Sequence, residues 1–181
     1  PIIATLKLYT RSGIAGFEDV KFPVFNGFWS QEIESPQNIN FSREKVGGQV
    51  YNSALLRRWV IMPQQTGTLS VEPAELVCQV EVMEKGPRGR SIFDDFFGTD
   101  SYTIQKKKLS TGTHTITVQP LPAGAPDNFG GGVGRFSMNV RLSKDSLKSN
   151  DAASVVVEIS GAGNLNLIES PSIDFPADFE V

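Results

Sequence analysis

The sequence predicts an all-β chain folded as an antiparallel β-sandwich. Three observations carry that expectation. Segment after segment alternates apolar and polar residues with a period of two, which sets one face of each segment on a core and the other in water. Clusters of Gly, Pro, Asn and Ser separate these segments at short intervals, as turns between strands do. Helical periodicity is almost absent, so no second kind of element is offered to cover the sheets, and they must cover one another.

The elements follow in chain order. Ile2 to Thr10 sets Ile2, Ala4, Leu6 and Leu8 against Ile3, Thr5, Lys7 and Tyr9. Phe28 to Glu34 is a short strand. Asn38 to Arg43 is another, and Gly47-Gly48 turns it into a hairpin. Gln49 to Met62 is the longest. Tyr51, Leu55, Trp59 and Ile61 lie on one face and Val50, Ala54, Leu56, Val60 and Met62 on the other, so a central strand covered on both sides is expected. Pro63 has no N–H for a ladder and ends it. Thr68 to Val71 follows the Thr66-Gly67 turn. Glu75 to Met83 then puts Leu76, Cys78, Val80 and Val82 on a core face, opposite Gln79 and Glu81. Ser101 to Leu109 and Thr113 to Gln119 complete this set.

Pro120, Pro122 and Pro126 cannot continue a sheet and make a stiff connector. The expected organisation is therefore a β-sandwich domain over 1–119 with a surface excursion at 85–100, a Pro-rich connector over 120–126, and a partial second unit over 127–181. In the second unit, Asp127 to Gly134 is Gly-rich, Ser143 to Asn150 is a polar turn, and Arg135 to Leu142, Ala152 to Ser160 and Asn164 to Glu169 read as strands. The run from Val155 through Gly161 and Gly163 to Pro171 echoes the run from Thr5 to Pro23, so the second unit reads as the opening part of another sandwich.

Composition bounds the chemistry. The 181 residues carry 17 basic against 20 acidic side chains, a formal net charge of −3, which excludes a generally basic nucleic-acid surface. With 39% hydrophobic and 20% charged residues the chain is of the folding kind. One Cys and one His exclude an intramolecular disulfide, a Cys-based metal cage and a His-rich metal site. No catalytic residue, metal or cofactor is expected. No apolar run approaches the roughly 18–20 residues that cross a bilayer. The chain opens in a strand-like pattern without a starting Met, and so reads as a piece of a longer protein.

Candidate sites are few. His114 shares a face with Ile116 and Val118 and reads as a partly buried histidine at a sheet margin. A thiol–imidazole dyad with Cys78 is the enzymatic alternative, but Cys78 follows a core alternation, where a structural cysteine is inert. Gly130 to Gly134 lacks the preceding strand, following helix and Lys of a phosphate loop. Asp94, Asp95 and Asp100 do not match a calcium loop. Arg57 and Arg58 point to opposite faces, and one of them is expected to meet Glu32 or Glu34.

The most unusual segment is Gly86 to Gly98. Phe93, Phe96 and Phe97 stand where one helical turn would gather them on one side, with Asp94 and Asp95 between them and Arg88, Arg90 and Lys106-Lys107-Lys108 around them. One reading folds the rings back over a sheet end. The other makes them an aromatic plug for a partner, because large exposed aromatics mark interaction surfaces. Arg90, Phe93, Asp94, Asp95, Phe96 and Phe97 are the expected partner-binding residues. Lysines on an edge strand, which discourage sheet-to-sheet pairing, are the plainer reading of Lys106 to Lys108.

Phe25-Asn26-Gly27-Phe28-Trp29, Leu56 to Leu69, Phe93-Asp94-Asp95-Phe96-Phe97-Gly98, the Pro120 to Pro126 connector, Ser160-Gly161-Ala162-Gly163-Asn164 and the closing Phe175 to Val181 together resemble the BatD family of Bacteroidetes, the aerotolerance or oxygen-tolerance proteins. The resemblance spans essentially the whole chain. It implies immunoglobulin-like sandwiches on the periplasmic side of the inner membrane, in a parent protein with a signal peptide and a membrane helix. It also implies partners with von Willebrand A domains and a MoxR-type ATPase system. The family has no established catalytic residues to carry over. The expected function is a non-enzymatic periplasmic scaffold or interaction module. A cell-surface carbohydrate-binding or adhesin-like sandwich is the alternative. Residues 135–181, lacking later strands, are expected either to associate with another chain, including a second copy, or to be the less stable half.

Overall fold

The computed structural model describes residues 1–84 and 101–180, with Glu84 and Ser101 described by their backbone. The excursion at 85–100 lies outside the described residues, and with it Arg90, Phe93, Asp94, Asp95, Phe96 and Phe97. The chain divides into two units, Ile2–Pro120 and Leu121–Val181.

The first unit is all-β, antiparallel and sandwich-like. One layer is built on β5 (Gln49–Pro63). Along one side β5 pairs with β1 (Ile2–Thr10), and along the other its first half pairs with β4 (Ser42–Val46) and its second half with β3 (Phe28–Glu34). The opposite layer holds β2 (Ile14–Lys21), β7 (Glu75–Glu84) and β8 (Ser101–Ser110) in that order, with β6 (Gly67–Val71) paired to β9 (His114–Val118). The two ladders of this layer adjoin where Ala74 and Thr111 meet: the Thr111 N–H donates to Ala74 O at 3.0 Å, and Ala74 N–H donates to Thr111 Oγ1 at 2.9 Å. Thus β6–β7 and β8–β9 form one ribbon, bent beside Pro73 and Gly112.

Two apolar clusters join the layers. Leu8 and Leu56 from the first layer meet Leu76, Cys78, Val80, Ile14 and Phe17 from the second. Farther along, Phe28, Trp59 and Ile61 meet Leu69, Ile116 and Val118, with Phe22 and Phe25 closing the side. The period-two face of Leu76, Cys78 and Val80 is the face that is buried.

Three strand expectations need correction. The first is the two-faced reading of β5. Its register to β1 slips between Leu6, opposite Arg57, and Lys7, opposite Leu55, leaving Leu56 as an extra residue. A bulge of this kind shifts the alternation by one. Ala54 and Leu56 therefore face the core before the bulge, and Trp59 and Ile61 after it. The apolar residues on both parities serve mainly one core. The opposite face carries the Lys7–Glu44 and Arg58–Glu34 ion pairs, although Met62 is buried there.

The second is the strand placed at Asn38 to Arg43, which lies at Ser42–Val46 instead. Gly47 and Gly48 both have positive φ, 57° and 84°, as the two-residue hairpin turn of right-twisted strands requires. That turn sets Val46 opposite Gln49 and so decides which residues pair. In addition, β2 lies in a stretch where no strand was expected, because its ladder is broken twice and Asp19 sits at φ 44°.

The second unit holds one hairpin, β10 (Gly134–Leu142) with β11 (Val155–Gly163), followed by a 3₁₀ turn at Leu165–Leu167. The third correction falls here. Asn164 to Glu169 is not a strand, and β11 runs three residues beyond the expected Ser160. Asn164 accepts a hydrogen bond from Val133 N–H at 2.6 Å on its side-chain oxygen and donates its amide to Gly131 O at 2.8 Å. These bonds tie the end of β11 to the loop before β10, and the chain turns there. Close approach explains two glycines of this hairpin: a Cβ on Gly161 would run into Arg135 O, and one on Gly163 into Val133 O.

Candidate functional site

The register of β7 and β8 is regular from Glu75 opposite Ser110 to Glu84 opposite Ser101. The residues that flank 85–100, Glu84 and Ser101, are therefore cross-strand partners, and 85–100 joins two neighbouring antiparallel strands. At this base the outer face of the ribbon is apolar. Met83 stands opposite Tyr102, and Ile104 is next along the strand, exposed by 52%, 58% and 56%. Sequence reasoning missed this patch. The signal was Tyr102 and Ile104 at alternate positions in a strand whose other residues there are polar.

Beyond the patch the same face turns charged. Lys106 pairs with Glu18 at 2.8 Å and Lys108 with Glu75 at 2.6 Å, while Gln79 donates to Glu18. The hydrogen bonds to these lysines hold the Glu18 and Glu75 carboxyls below their ordinary values and raise the two ammonium groups. All four are solvent-screened, so they align strands more than they stabilise them. Lys107 lies opposite Cys78, on the inner face of an edge strand. A charge on the inner face of an edge blocks the approach of another strand.

The remaining sequence candidates are dispersed. Cys78 is fully buried and burial pushes its thiol up, away from the thiolate that chemistry needs. His114, expected to be partly buried, is exposed instead, because it is the first residue of β9, at the end of the ladder opposite Val71, and among the described residues β9 pairs with β6 alone. A thiol reagent should label Cys78 slowly in the native protein and rapidly in denaturant. Rapid native labelling would return a cysteine nucleophile to consideration.

Both arginines of β5 find carboxylates, Arg57 with Glu32 at 2.8 Å and Arg58 with Glu34 at 2.6 Å. Arg57 also lies over the Phe22 ring, 3.6 Å from its centroid, a cation–π contact that seals the core margin. Trp59 is 7% exposed and takes Phe22 and Phe25 edge-on at 6.1 and 5.4 Å, and Trp29 is half-buried on β3. Gly130 to Val133 leads into β10, and Asn164 and Glu169 occupy its backbone groups. Among the described residues no three His, Cys, Asp or Glu side chains gather as metal ligands would.

Comparison with protein-family models, with curated proteins and with solved structures finds no match to this chain.

Proposed function

We propose that the chain is a non-enzymatic interaction module: the β-sandwich region of a membrane-anchored, BatD-like aerotolerance protein on the periplasmic side of the inner membrane. Its partners in this reading carry von Willebrand A domains and work with a MoxR-type ATPase. The contact is made by the 85–100 excursion, with Phe93, Phe96 and Phe97 as anchors and Arg90, Asp94 and Asp95 around them.

The observation that supports this most is the base of the excursion. Met83, Tyr102 and Ile104 are exposed on one face where the hairpin connection leaves the ribbon. Apolar side chains that a sandwich does not bury, at the point where a phenylalanine-rich stretch of sequence is attached, are suited to a protein partner. The carbohydrate-binding alternative draws less support, because Trp59 lies in the core rather than in a shallow groove. The family assignment itself rests on the sequence motifs.

The test is capture of partners by the full-length parent protein from its native membrane, identified by mass spectrometry. Enrichment of von Willebrand A-domain proteins is expected. Enrichment of none of them, with retention on glycan supports, would overturn the reading in favour of the alternative.

A further inference from the structure

Among the described residues β8 and β10 each leave one edge unpaired, and the two edges are treated differently. On β8, Lys107 sets a charge on the inner face, opposite Cys78. On β10 the residues on the apolar face are Phe136, Met138, Val140 and Leu142, opposite Gly161, Ile159, Val157 and Val155 of β11. No charge lies on that face of the hairpin. On the β11 side it is partly roofed by Leu165, Ile168, Pro171 and Ile173 around a cavity of about 370 Å³. On the β10 side it is bare, with Met138 64%, Val140 52% and Leu142 61% exposed. Among the described residues β10 pairs with β11 alone.

The phase of the hairpin decides what the open edge offers. Ser143 N–H donates to Ser154 O at 2.9 Å at one end, and Asn164 N–H donates to Val133 O at 3.2 Å at the other. Odd-numbered residues of β10 therefore direct their N–H and C=O groups to β11. Phe136, Met138, Val140 and Leu142 turn theirs outward. Met138, Val140 and Leu142 thus combine bare apolar side chains with backbone groups that, among the described residues, meet no neighbouring strand.

We propose that β10 pairs antiparallel with β10 of a second copy of this chain, about a two-fold axis through Asn139. This gives the self-association expected from the sequence a definite edge and register. It does not depend on the excursion's role in partner capture. Phe136 would face the partner's Leu142, and Met138 the partner's Val140, each pair exchanging backbone hydrogen bonds. On the other face Arg141 would meet the partner's Ser137, and Asn139 the partner's Asn139.

Charge selects this register over its neighbour. An axis through Met138 would set Arg141 opposite the partner's Arg135 at both ends, and like charges directly opposed destabilise a ladder. An axis through Val140 would leave Phe136 opposite the partner's Lys144, beyond the strand. Only the Asn139 axis matches all four apolar residues with apolar residues. The product is a four-stranded sheet with one continuous apolar face, in which the two β10 edges close on each other and β11 lies at either outer side.

The test uses the whole 181-residue chain. Sedimentation equilibrium at tens of micromolar should show a doubled mass. Asn139→Cys should give a disulfide-linked dimer under mild oxidation, because its Cα and that of its counterpart would lie about 4.5 Å apart, within disulfide reach. Ser137→Cys should not, since its counterpart would be roughly 13 Å away at ~3.4 Å per residue. Cys78 is buried and does not compete. Val140→Lys, checked for retained β-structure by circular dichroism, should return the monomeric mass, and in the Asn139→Cys background should remove the crosslink. A monomer at all concentrations, equal crosslinking at 137 and 139, or a folded Val140→Lys dimer would each overturn the proposal. Partner capture by the Val140→Lys chain is expected to be unchanged, which separates this proposal from the excursion's role.

Discussion

A chain with Phe93, Phe96 and Phe97 all changed to Ser is expected to lose partner capture and keep its unfolding midpoint. Truncating one central aromatic anchor of an interface costs on the order of 2–4 kcal/mol, about 30- to 1,000-fold in affinity, so losing three leaves no measurable capture. The alternative, rings folded back onto a sheet end, predicts the reverse. Each buried Phe removed from a core costs ~3–5 kcal/mol, and three would exceed much of a typical domain's stability. Thermal unfolding and capture measured on one mutant separate the two. Intact capture with a large drop in midpoint would end the interaction hypothesis.

Trp59→Ala is expected to be the most damaging single change in the first unit, with a loss of about 3–5 kcal/mol. Trp59 lies between the layers with Phe28, Ile61 and Leu69, and two aromatic edges rest on it. Its removal leaves a cavity that the facing sheets cannot close without losing their register. Trp29→Ala should cost much less, because Trp29 is half-buried and opposite Met62 on the outer side. Denaturant titration of the two variants checks the contrast. Equal losses would mean that the layers do not meet at Trp59 as described.

What the sequence made legible was the alternation. The bounds of β1 and β3 match expectation, and the core face of β7 follows from its period-two pattern alone. What it hid were departures from that period. The extra Leu56 shifts a parity, and no local feature of Ala54-Leu55-Leu56-Arg57 announces it, because a bulge is decided by the neighbouring strand. The irregular ladder of β2 erased its pattern. Leu165 and Leu167 alternate like a strand, but Asn164 ties the backbone to the loop before β10. The candidate site divided in the same way. The excursion's phenylalanines were visible as composition. The patch of Met83, Tyr102 and Ile104 needed cross-strand partners that only the register supplies.

The pairing of Glu84 with Ser101 also bears on how such a chain can change over generations. Since the ladder is complete before the chain leaves it and resumes in register, residues 85–100 can lengthen, shorten or be exchanged without re-addressing any strand. Shrinking that stretch to a two-residue turn spans about three halvings of loop length, worth only roughly 2 kcal/mol of closure entropy. Changes of length there leave every strand pairing as it is, whereas a single insertion within β5 would shift its alternation and turn arginine toward the core. The register is thus indifferent to what joins Glu84 to Ser101, while the strands themselves stay under tight constraint.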